Sequence, residues 1–558
     1  MFDFMKPKTK QPLFLGKDSK TIMHLGTDTK GRPICMDSNT LRTHILLTGS
    51  TGSGKTEALL GFMGNAFAWG SGGIFVDGKG DVSLYAKMAM IADHYGRRDD
   101  LYVVNFMNSN SAGHLHGGFT HRFNPFAKGA SDAITQMIVS IVEDTDSPMW
   151  KGRLTAMLTG IIRLLCWRRD NRGEKLDASV IRDNISFRRL VDVARGHVFA
   201  DVPPEIRRTV QSYLQSLPGY VSERVYDQSH TTLDHHGYME MQLTKTFSTM
   251  CDVYGHIFTE GQTDIDLEDV VLNRRFLLVM LPALEKSRDE IAGLGRIVAA
   301  ALKMMAGSVL GRAVEGTWED VQTDHVEARH SLPPFLCILD EATYYLVDGF
   351  DLMAAQSRSL GIAMIFACQD MHSLFRAPGS VGKTIIASTK TKIAMCSHTW
   401  YSEMDALFAE ASPGRDDVMP YVERIMRTSR RQRTMPTMGS MTSDFGPGEF
   451  ALVSSGKMII GKAMYVDLHK DRTSNLSLTR FRSIALAADD LIKLENDSLL
   501  QKENRDTAEA LPACLEKLCA EGARPILAGA SELLTAAVRA VSETTATPPS
   551  VEIVRIGE

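Results

Sequence analysis

The segment LLTGSTGSGKTEALLGF, Leu46 to Phe62, constrains the fold of this chain more than any other part of the sequence. An apolar strand end, a glycine-rich turn and a helix start follow one another, and the turn matches the pattern G-x-x-x-x-G-K-[ST]. In such a turn, backbone N–H groups and the next helix N-terminus face phosphate oxygens. An ordinary glycine-rich turn is the alternative, but the flanking strand and helix favour phosphate binding. The residues predicted to contact phosphate are Gly49, Ser50, Thr51, Gly52, Ser53, Gly54, Lys55 and Thr56.

A second motif, FLCILDE from Phe335 to Glu341, supplies the carboxylates that such a loop requires. Its apolar run predicts a buried strand, and ligands of open α/β sheets bind beyond the carboxyl ends of the strands. We therefore expect the Thr56 hydroxyl to ligate magnesium, Asp340 to hold magnesium through water, and Lys55 to reach the β- and γ-phosphates. Glu341 would polarise the water that attacks the γ-phosphate. A strand that ends in a solvated acidic turn is the alternative interpretation.

Two polar side chains flank the next predicted strand, GIAMIFACQD from Gly361 to Asp370. Gln369 could report on the γ-phosphate, or it could be a hydrogen-bonded turn residue. Arg358, predicted to lie on a helix before this strand, could be an arginine finger for a neighbouring subunit's nucleotide or an exposed helix arginine. Along the chain, the strand before the phosphate loop comes first, the strand that ends in Asp340 and Glu341 second, and the strand that ends in Gln369 third. This order matches the ATPases in which the third strand, called the sensor strand, lies between the other two in the sheet.

Charged residues outside these motifs are open to two interpretations. In the turn VDGKGD, Lys79 and Asp81 could line the nucleotide site or a substrate path, or they could be solvated charges. The basic runs Arg424 to Arg433 and Cys166 to Arg172 could contact polyanions, although such runs are more often solvated faces.

The remaining pattern predicts an α/β fold, with a mostly parallel sheet and helices on both faces. Short apolar runs alternate with helical segments: THILLT, GGIFVD, LYVVNF, RFLLVMLP, FLCILDE and GIAMIFACQD. Two later strands, EFALVSS and KMIIGKAMYVDL, are expected to pair at a sheet edge. The predicted segments are an N-terminal entry segment (1–40), the first part of a nucleotide-binding domain (41–127), an all-helical insertion (128–262), the second part of the nucleotide-binding domain (263–485) and a C-terminal helical tail (486–558).

Composition narrows the partners and the compartment. The 558 residues include 62 Lys and Arg against 67 Asp and Glu, so the net charge of -5 gives no overall attraction to nucleic acid. Eight cysteines without zinc spacing indicate a reducing compartment. No apolar segment reaches the ~20 residues of a membrane span, and the N-terminus lacks a signal-peptide core. We expect a cytoplasmic chain, or one attached to a membrane through a partner.

The sequence around the motifs resembles the type IV secretion coupling ATPases, in particular their Dot/Icm-type and IncI-plasmid branch. The resemblance extends from about Leu25 to Leu468 and rests on the segments RTHILLTGSTGSGKTE, GGIFVDGKGDVSLYAK, GRRDDLYVVNFM, FNPF, DVVLNRRFLLVMLPALEKS, CILDEATYY and AQSRSLGIAMIFACQD. MWKGR, LPGY and YGHI in the helical segment also look like that branch.

The resemblance implies a hexameric RecA-like ATPase that uses ATP and Mg2+ at the cytoplasmic face of the bacterial inner membrane. It implies a coupling protein that passes cargo, either a relaxase with its DNA strand or effector proteins, to a type IV secretion or conjugation apparatus. The helical insertion would contact the cargo. Lys55, Thr56, Asp340, Glu341 and Gln369 fall on the family's nucleotide motifs, and Arg358 falls near its proposed arginine finger.

Two departures from the family and two competing functions remain open. Family members usually begin with transmembrane helices, and this chain starts just after the point where they would end, so we expect either a naturally soluble form or one that depends on a separate membrane subunit. Residues 486–558 differ in character from the C-terminal extension on which adaptors dock. The competitors are a DNA translocase of the FtsK/HerA kind and a docking platform that binds ATP with little turnover. The presence of Glu341 argues against the platform.

Overall fold

The computed structural model describes a large part of the compact unit formed by residues 1–481. The basic run Arg424 to Arg433 and the predicted tail at 486–558 lie outside the described residues. Among the residues so described, none of the helices combines the length and the apolar character that a bilayer crossing demands. The described residues are 12–15, 22–107, 120–142, 148–259, 263–282, 285–310, 333–346, 356–369, 371–375, 381–397, 412–413 and 442–466.

A 13-stranded sheet forms the centre of this unit. Its strands are β1 Leu13–Leu15, β2 Ile22–Asp28, β3 Pro33–Asp37, β4 Ile45–Thr48, β5 Gly73–Asp77, β6 Leu101–Asn105, β7 Phe276–Met280, β8 Phe335–Leu339, β9 Ile362–Cys368, β10 Thr391–Met395, β11 Ser412–Pro413, β12 Glu449–Ser454 and β13 Lys457–Ala463. Their order is β1-β3-β2-β13-β12-β10-β4-β9-β8-β5-β7-β6, and β11 pairs with β13.

The strands from β10 to β6 in this order all run parallel. Strand β9 lies between β4 and β8, as the sequence predicts for the sensor strand. Parallel strands place their carboxyl ends at one edge of a sheet. The ends of β4, β5, β8 and β9 therefore meet, and this edge is where the sequence motifs converge.

Helices cover both faces of the sheet. They are α1 Ser38–Leu41, α2 Lys55–Ala68, α3 Val82–His94, α4 Ser131–Ile141, α5 Pro148–Arg172, α6 Ala178–Asp183, α7 Phe187–Arg195, α8 Pro204–Ser216, α9 His230–Ser248, α10 Gly255–Phe258, α11 Leu267–Leu272, α12 Arg288–Leu310, α13 Met371–Phe375 and α14 Val381–Ser388. Side chains alternate between two apolar clusters, with Leu46 of β4 in one cluster and Leu47 in the other. This alternation follows from the two-residue period of a strand with both faces buried.

Helices α4 to α11 connect β6 to β7, and α4 to α10 lie where the sequence predicts an all-helical insertion. Their apolar residues belong to the same cluster as one face of the sheet, and Phe106 after β6 packs against Phe258 at a ring distance of 5.7 Å. The helices therefore complete the core on this face. The boundaries 128–262 stay a prediction.

Three features differ from the sequence-based expectations. The prediction that the paired strands β12 and β13 lie at a sheet edge is wrong. They lie inside the sheet, because β12 also pairs with β10 and β13 also pairs with β2. Strand β10 was not predicted, since its short run TKIAM gives little apolar signal. Residues of the entry segment form β2 and β3, which extend the sheet beyond β13. The α/β fold class with a mostly parallel sheet is confirmed.

Candidate nucleotide-binding site

The glycine-rich loop follows β4 and ends at α2. Gly54, the residue before this helix, has φ of 91°, a left-handed backbone conformation that residues other than glycine rarely adopt. A Cβ at this position would lie 3.0 Å from the backbone nitrogen of Gly448, which also donates a hydrogen bond of 2.8 Å to the Ser53 carbonyl. Ser50 donates from its backbone nitrogen and its hydroxyl to the Cys396 carbonyl, at 2.8 and 2.9 Å. The loop is therefore held by the start of β12 and the end of β10.

Lys55 is the first residue of α2 and is 3% exposed. Its ammonium donates to the Gly49 carbonyl at 2.7 Å and lies 3.4 Å from Oε1 of Glu341. The lysine thus lies inside the curl of the loop and joins it to the end of β8. This is the position that a phosphate-binding lysine requires.

Asp340 and Glu341 follow β8, and both are buried. Thr56 Oγ1 donates to Asp340 Oδ2 at 3.4 Å, which brings a hydroxyl and a carboxylate oxygen together beside the loop. Glu341 has φ of 55°, a left-handed backbone conformation that costs a residue with a side chain about 1–3 kcal/mol. Tyr345 donates its hydroxyl to the Asp340 carbonyl at 2.7 Å and so supports the turn. The strained turn directs the Glu341 carboxylate towards Lys55.

Gln369 follows β9 and reaches the same carboxylate. Its amide nitrogen donates to Oε1 of Glu341 at 3.0 Å. The structure therefore brings together Lys55, Thr56, Asp340, Glu341 and Gln369, which come from the start of α2 and the ends of the adjacent strands β8 and β9. Their individual roles stay predictions.

Lys79 also belongs to this cluster, whereas the sequence left open whether it lines the nucleotide site or is a solvated charge in a turn. Its ammonium donates to Thr56 Oγ1 at 3.2 Å and lies 3.5 Å from Asp340 Oδ2 and 3.6 Å from Glu341 Oε1. Burial lowers the pKa of Lys79, but the charges of Asp340, Glu341 and Asp77 outweigh it, so that the pKa rises above its usual value. Lys79 is thus a cation within the site.

Asp77 and Asp81 shape the turn that carries Lys79. Asp77 is fully buried, and its carboxylate accepts hydrogen bonds from the backbone nitrogens of Lys79 at 3.0 Å and Asp81 at 2.8 Å. Burial, together with the charge of Asp340, raises the pKa of Asp77 to about 6 despite these bonds. Asp81 accepts from the Ser83 nitrogen at 2.8 Å and caps α3, which is a structural role.

Arg358 does not join the cluster. It lies exposed in a turn before β9, and the adjacent Ser357 contacts His44, which precedes β4, at 3.4 Å. Arg358 is therefore at the amino ends of the strands, whereas the loop follows their carboxyl ends. The seven residues of β9 span roughly 20 Å at about 3.3 Å per residue, so Arg358 cannot reach the nucleotide site of its own chain.

The residues present fit a magnesium nucleotide. The Ser53 hydroxyl is buried and has no hydrogen-bond partner among the residues that the structure describes, so the loop holds an unused polar group. Thr56 and Asp340 offer oxygen atoms, the ligand type that magnesium prefers. The loop lysine and the N-terminus of α2 suit a polyphosphate.

Comparison with known proteins agrees with this geometry. The FtsK/SpoIIIE family model matches residues 6–69, which include the glycine-rich loop. The type 4 coupling protein DotL of Legionella pneumophila is 39% identical over 411 residues, which are 71% of this chain and 52% of DotL. The chain therefore spans about half the length of this relative.

Two solved structures are also similar to this chain. The plasmid coupling protein TrwB in complex with ADP and Mg2+ matches with a TM-score of 0.47 and 13% identity, over 81% of this chain and 91% of that one. VirB4 of Thermoanaerobacter pseudethanolicus matches with a TM-score of 0.43 and 12% identity, over 81% of this chain and 98% of that one.

The strand order and the loop confirm the expected RecA-like P-loop fold with additional helices. The resemblance expected from the sequence is confirmed as well: over 71% of its length, this chain is a sequence relative of a type 4 coupling protein.

Proposed function

We propose that this chain is an ATP-hydrolysing coupling protein that recruits cargo to a type IV secretion or conjugation apparatus and energises its transfer. The observation that carries the proposal is the convergence on Glu341, whose Oε1 lies 3.4 Å from the Lys55 ammonium and 3.0 Å from the Gln369 amide. A phosphate-binding lysine, a buried base candidate and a polar side chain from the intervening strand are the groups needed to hydrolyse a γ-phosphate. The similarity to DotL supplies the coupling role.

Each residue of the site has a proposed task. Lys55 and the backbone of the loop bind the phosphates, and the Ser53 hydroxyl adds a donor. Thr56 and Asp340 hold Mg2+, which neutralises charge on the phosphates when bound. Glu341 accepts the proton of the attacking water, and Gln369 orients the Glu341 carboxylate. Burial of this carboxylate excludes competing solvent.

Assembly of several subunits would give the Arg358 side chain a role in nucleotide hydrolysis. Because this exposed side chain lies at the amino ends of the strands, it can serve a nucleotide only on another subunit. We therefore propose a homo-hexamer in which Arg358 completes the neighbouring site. The ring would act at the cytoplasmic face of the inner membrane, and its helices α4 to α10 would receive a relaxase-DNA complex or effector proteins.

A DNA translocase is the second candidate, and the match of the FtsK/SpoIIIE family model to residues 6–69 favours it. Steady-state ATP hydrolysis with and without single- and double-stranded DNA, at two salt concentrations, separates the candidates. Strong stimulation by naked DNA that fades with salt would identify a DNA motor with phosphate contacts. Turnover indifferent to naked DNA, but raised by a relaxase-DNA complex or an effector protein, supports the coupling protein. Absence of turnover in every assembled form would contradict both.

A further inference from the structure

The nucleotide site contains two lysines whose surroundings differ. The side chain of Lys55 is 2% exposed and is held by the Gly49 carbonyl, whereas the side chain of Lys79 is 37% exposed. Lys55 belongs to the loop motif, and Lys79 comes from the turn after β5. Only Lys79 has both a cluster of oxygen partners and an open path to solvent.

The oxygen partners of Lys79 are those proposed for magnesium. Its ammonium lies 3.2 Å from Thr56 Oγ1 and 3.5 Å from Asp340 Oδ2, and these two oxygens lie 3.4 Å from each other. Glu341 Oε1, at 3.6 Å, is a third neighbour. A monovalent ammonium therefore holds the same hydroxyl and carboxylate that a divalent cation would use.

The backbone of the turn is fixed, so only the Lys79 side chain can move away. Gly80 has φ of 68°, and a Cβ there would lie 2.3 Å from the Leu281 carbonyl oxygen after β7. The Asp77 carboxylate accepts hydrogen bonds from the backbone nitrogens of Lys79 and Asp81. The turn thus packs against neighbouring strand ends and presents Lys79 to the site in one position.

We propose that Lys79 is the resident counter-ion of the magnesium position, and that its ammonium keeps Asp340 and Thr56 paired until Mg2+ arrives with nucleotide. The Lys79 side chain then leaves towards solvent. Since two cations compete for the same oxygens, Lys79 weakens the binding of magnesium alone, and metal loading becomes more dependent on nucleotide. The inference rests on the proposed nucleotide site, although its first test needs no nucleotide.

Binding of Mn2+ without nucleotide, measured by electron paramagnetic resonance, tests the competition directly. Removal of a like charge within contact distance changes an ionic equilibrium by at least about tenfold. Lys79→Met and Lys79→Gln should therefore bind Mn2+ at least about tenfold more tightly than the parent. Added Mg2+ should compete with this bound Mn2+. Lys79→Arg should behave as the parent, and Asp340→Asn added to Lys79→Met should remove the gain. Lys87→Met is the matched control, because Lys87 on α3 pairs with Glu57 at the surface.

Lysine acetylation of the parent, followed by mass spectrometry, keeps the proposal testable if a variant fails to fold. A magnesium complex of a non-hydrolysable ATP analogue should raise the labelling of Lys79 relative to Lys87. Unchanged Mn2+ affinity in both neutral variants, or labelling of Lys79 that stays constant or falls, would overturn the proposal. A parent that binds no magnesium nucleotide would contradict the proposed function instead, and the Mn2+ comparison would still decide the role of Lys79.

Discussion

The Gln369 amide donates a hydrogen bond of 3.0 Å to the Glu341 carboxylate, across the boundary between the neighbouring strands β8 and β9. The same oxygen, Oε1, lies 3.4 Å from the Lys55 ammonium. The Lys79 ammonium lies 3.6 Å from this oxygen, so the glutamate is held by one neutral donor and two cations. This arrangement separates two roles: Lys55 acts on the phosphates, and Gln369 acts on the base.

Gln369→Ala should lower kcat by about 10- to 100-fold, because a misplaced catalytic group costs about that much. Nucleotide affinity should stay unchanged, since Gln369 contacts Glu341 and not the loop in this structure. Steady-state kinetics and equilibrium binding of a fluorescent ATP analogue measure the two effects separately. Gln369→Asn, with a shorter amide, should resemble the alanine variant. A loss of affinity with unchanged kcat would contradict the orienting role.

Lys55→Ala should weaken ATP binding by at least about 30-fold, because loss of a buried charged partner costs about 2 kcal/mol or more. The lysine lies at the centre of the loop, against the Gly49 carbonyl and the Glu341 carboxylate. Isothermal titration calorimetry measures the change, and Lys87→Ala controls for loss of a half-buried lysine on α3. Equal affinities of Lys55→Ala and the parent would exclude the phosphate-loop assignment.

Arg358→Ala should lower turnover of the assembled protein by at least about 1000-fold, the effect typical of an arginine finger. Its position at the amino ends of the strands predicts action on a neighbouring subunit. Mixing Arg358→Ala with Glu341→Gln should therefore restore part of the activity, because each Glu341→Gln subunit brings an intact arginine to an intact base. A mixture as inactive as its components would rule out action between subunits, as would full activity of Arg358→Ala alone.

Asp77 should make stability depend on pH. Its pKa is raised from 3.8 to about 6, chiefly by burial, so the folded protein binds the proton more tightly than the unfolded chain does. The free energy of unfolding should therefore fall by about 3 kcal/mol as pH rises from about 3 to about 7, relative to Asp77→Asn. Urea unfolding of both proteins across this range measures the difference. A difference that does not vary with pH would show that Asp77 titrates normally.

The sequence was sufficient to predict the loop, the carboxylates after β8 and the sensor position after β9. Each depends on local pattern: a glycine-rich turn between a strand and a helix, or a polar residue after an apolar strand. The place of Lys79 could not be predicted, because it depends on β5 lying beside β8, a non-local pairing. The same holds for the support of the loop by Gly448 and Cys396, which are distant in sequence.

The helical segment limits the design of deletions. Phe258 packs against Phe106 and Phe123, at ring distances of 5.7 and 6.4 Å. Residues of α4 and α12 share one apolar cluster with a face of the sheet. Removal of residues 128–262 would therefore uncover the core, and surface substitutions on α5 and α9 are better probes of cargo contact.

The proposal that Glu341 is the base for ATP hydrolysis is tested most directly by ATP binding and ATP hydrolysis of the parent and of Glu341→Gln, each in the presence of Mg2+. We expect equal affinity and a kcat that falls by about 100- to 10,000-fold, as for loss of a general base. Glu205→Gln, at an exposed position of α8, should match the parent in both measurements. Hydrolysis by Glu341→Gln at the parent rate would contradict the role of Glu341 as the base. Failure of the parent to hydrolyse ATP would contradict the proposed ATPase activity.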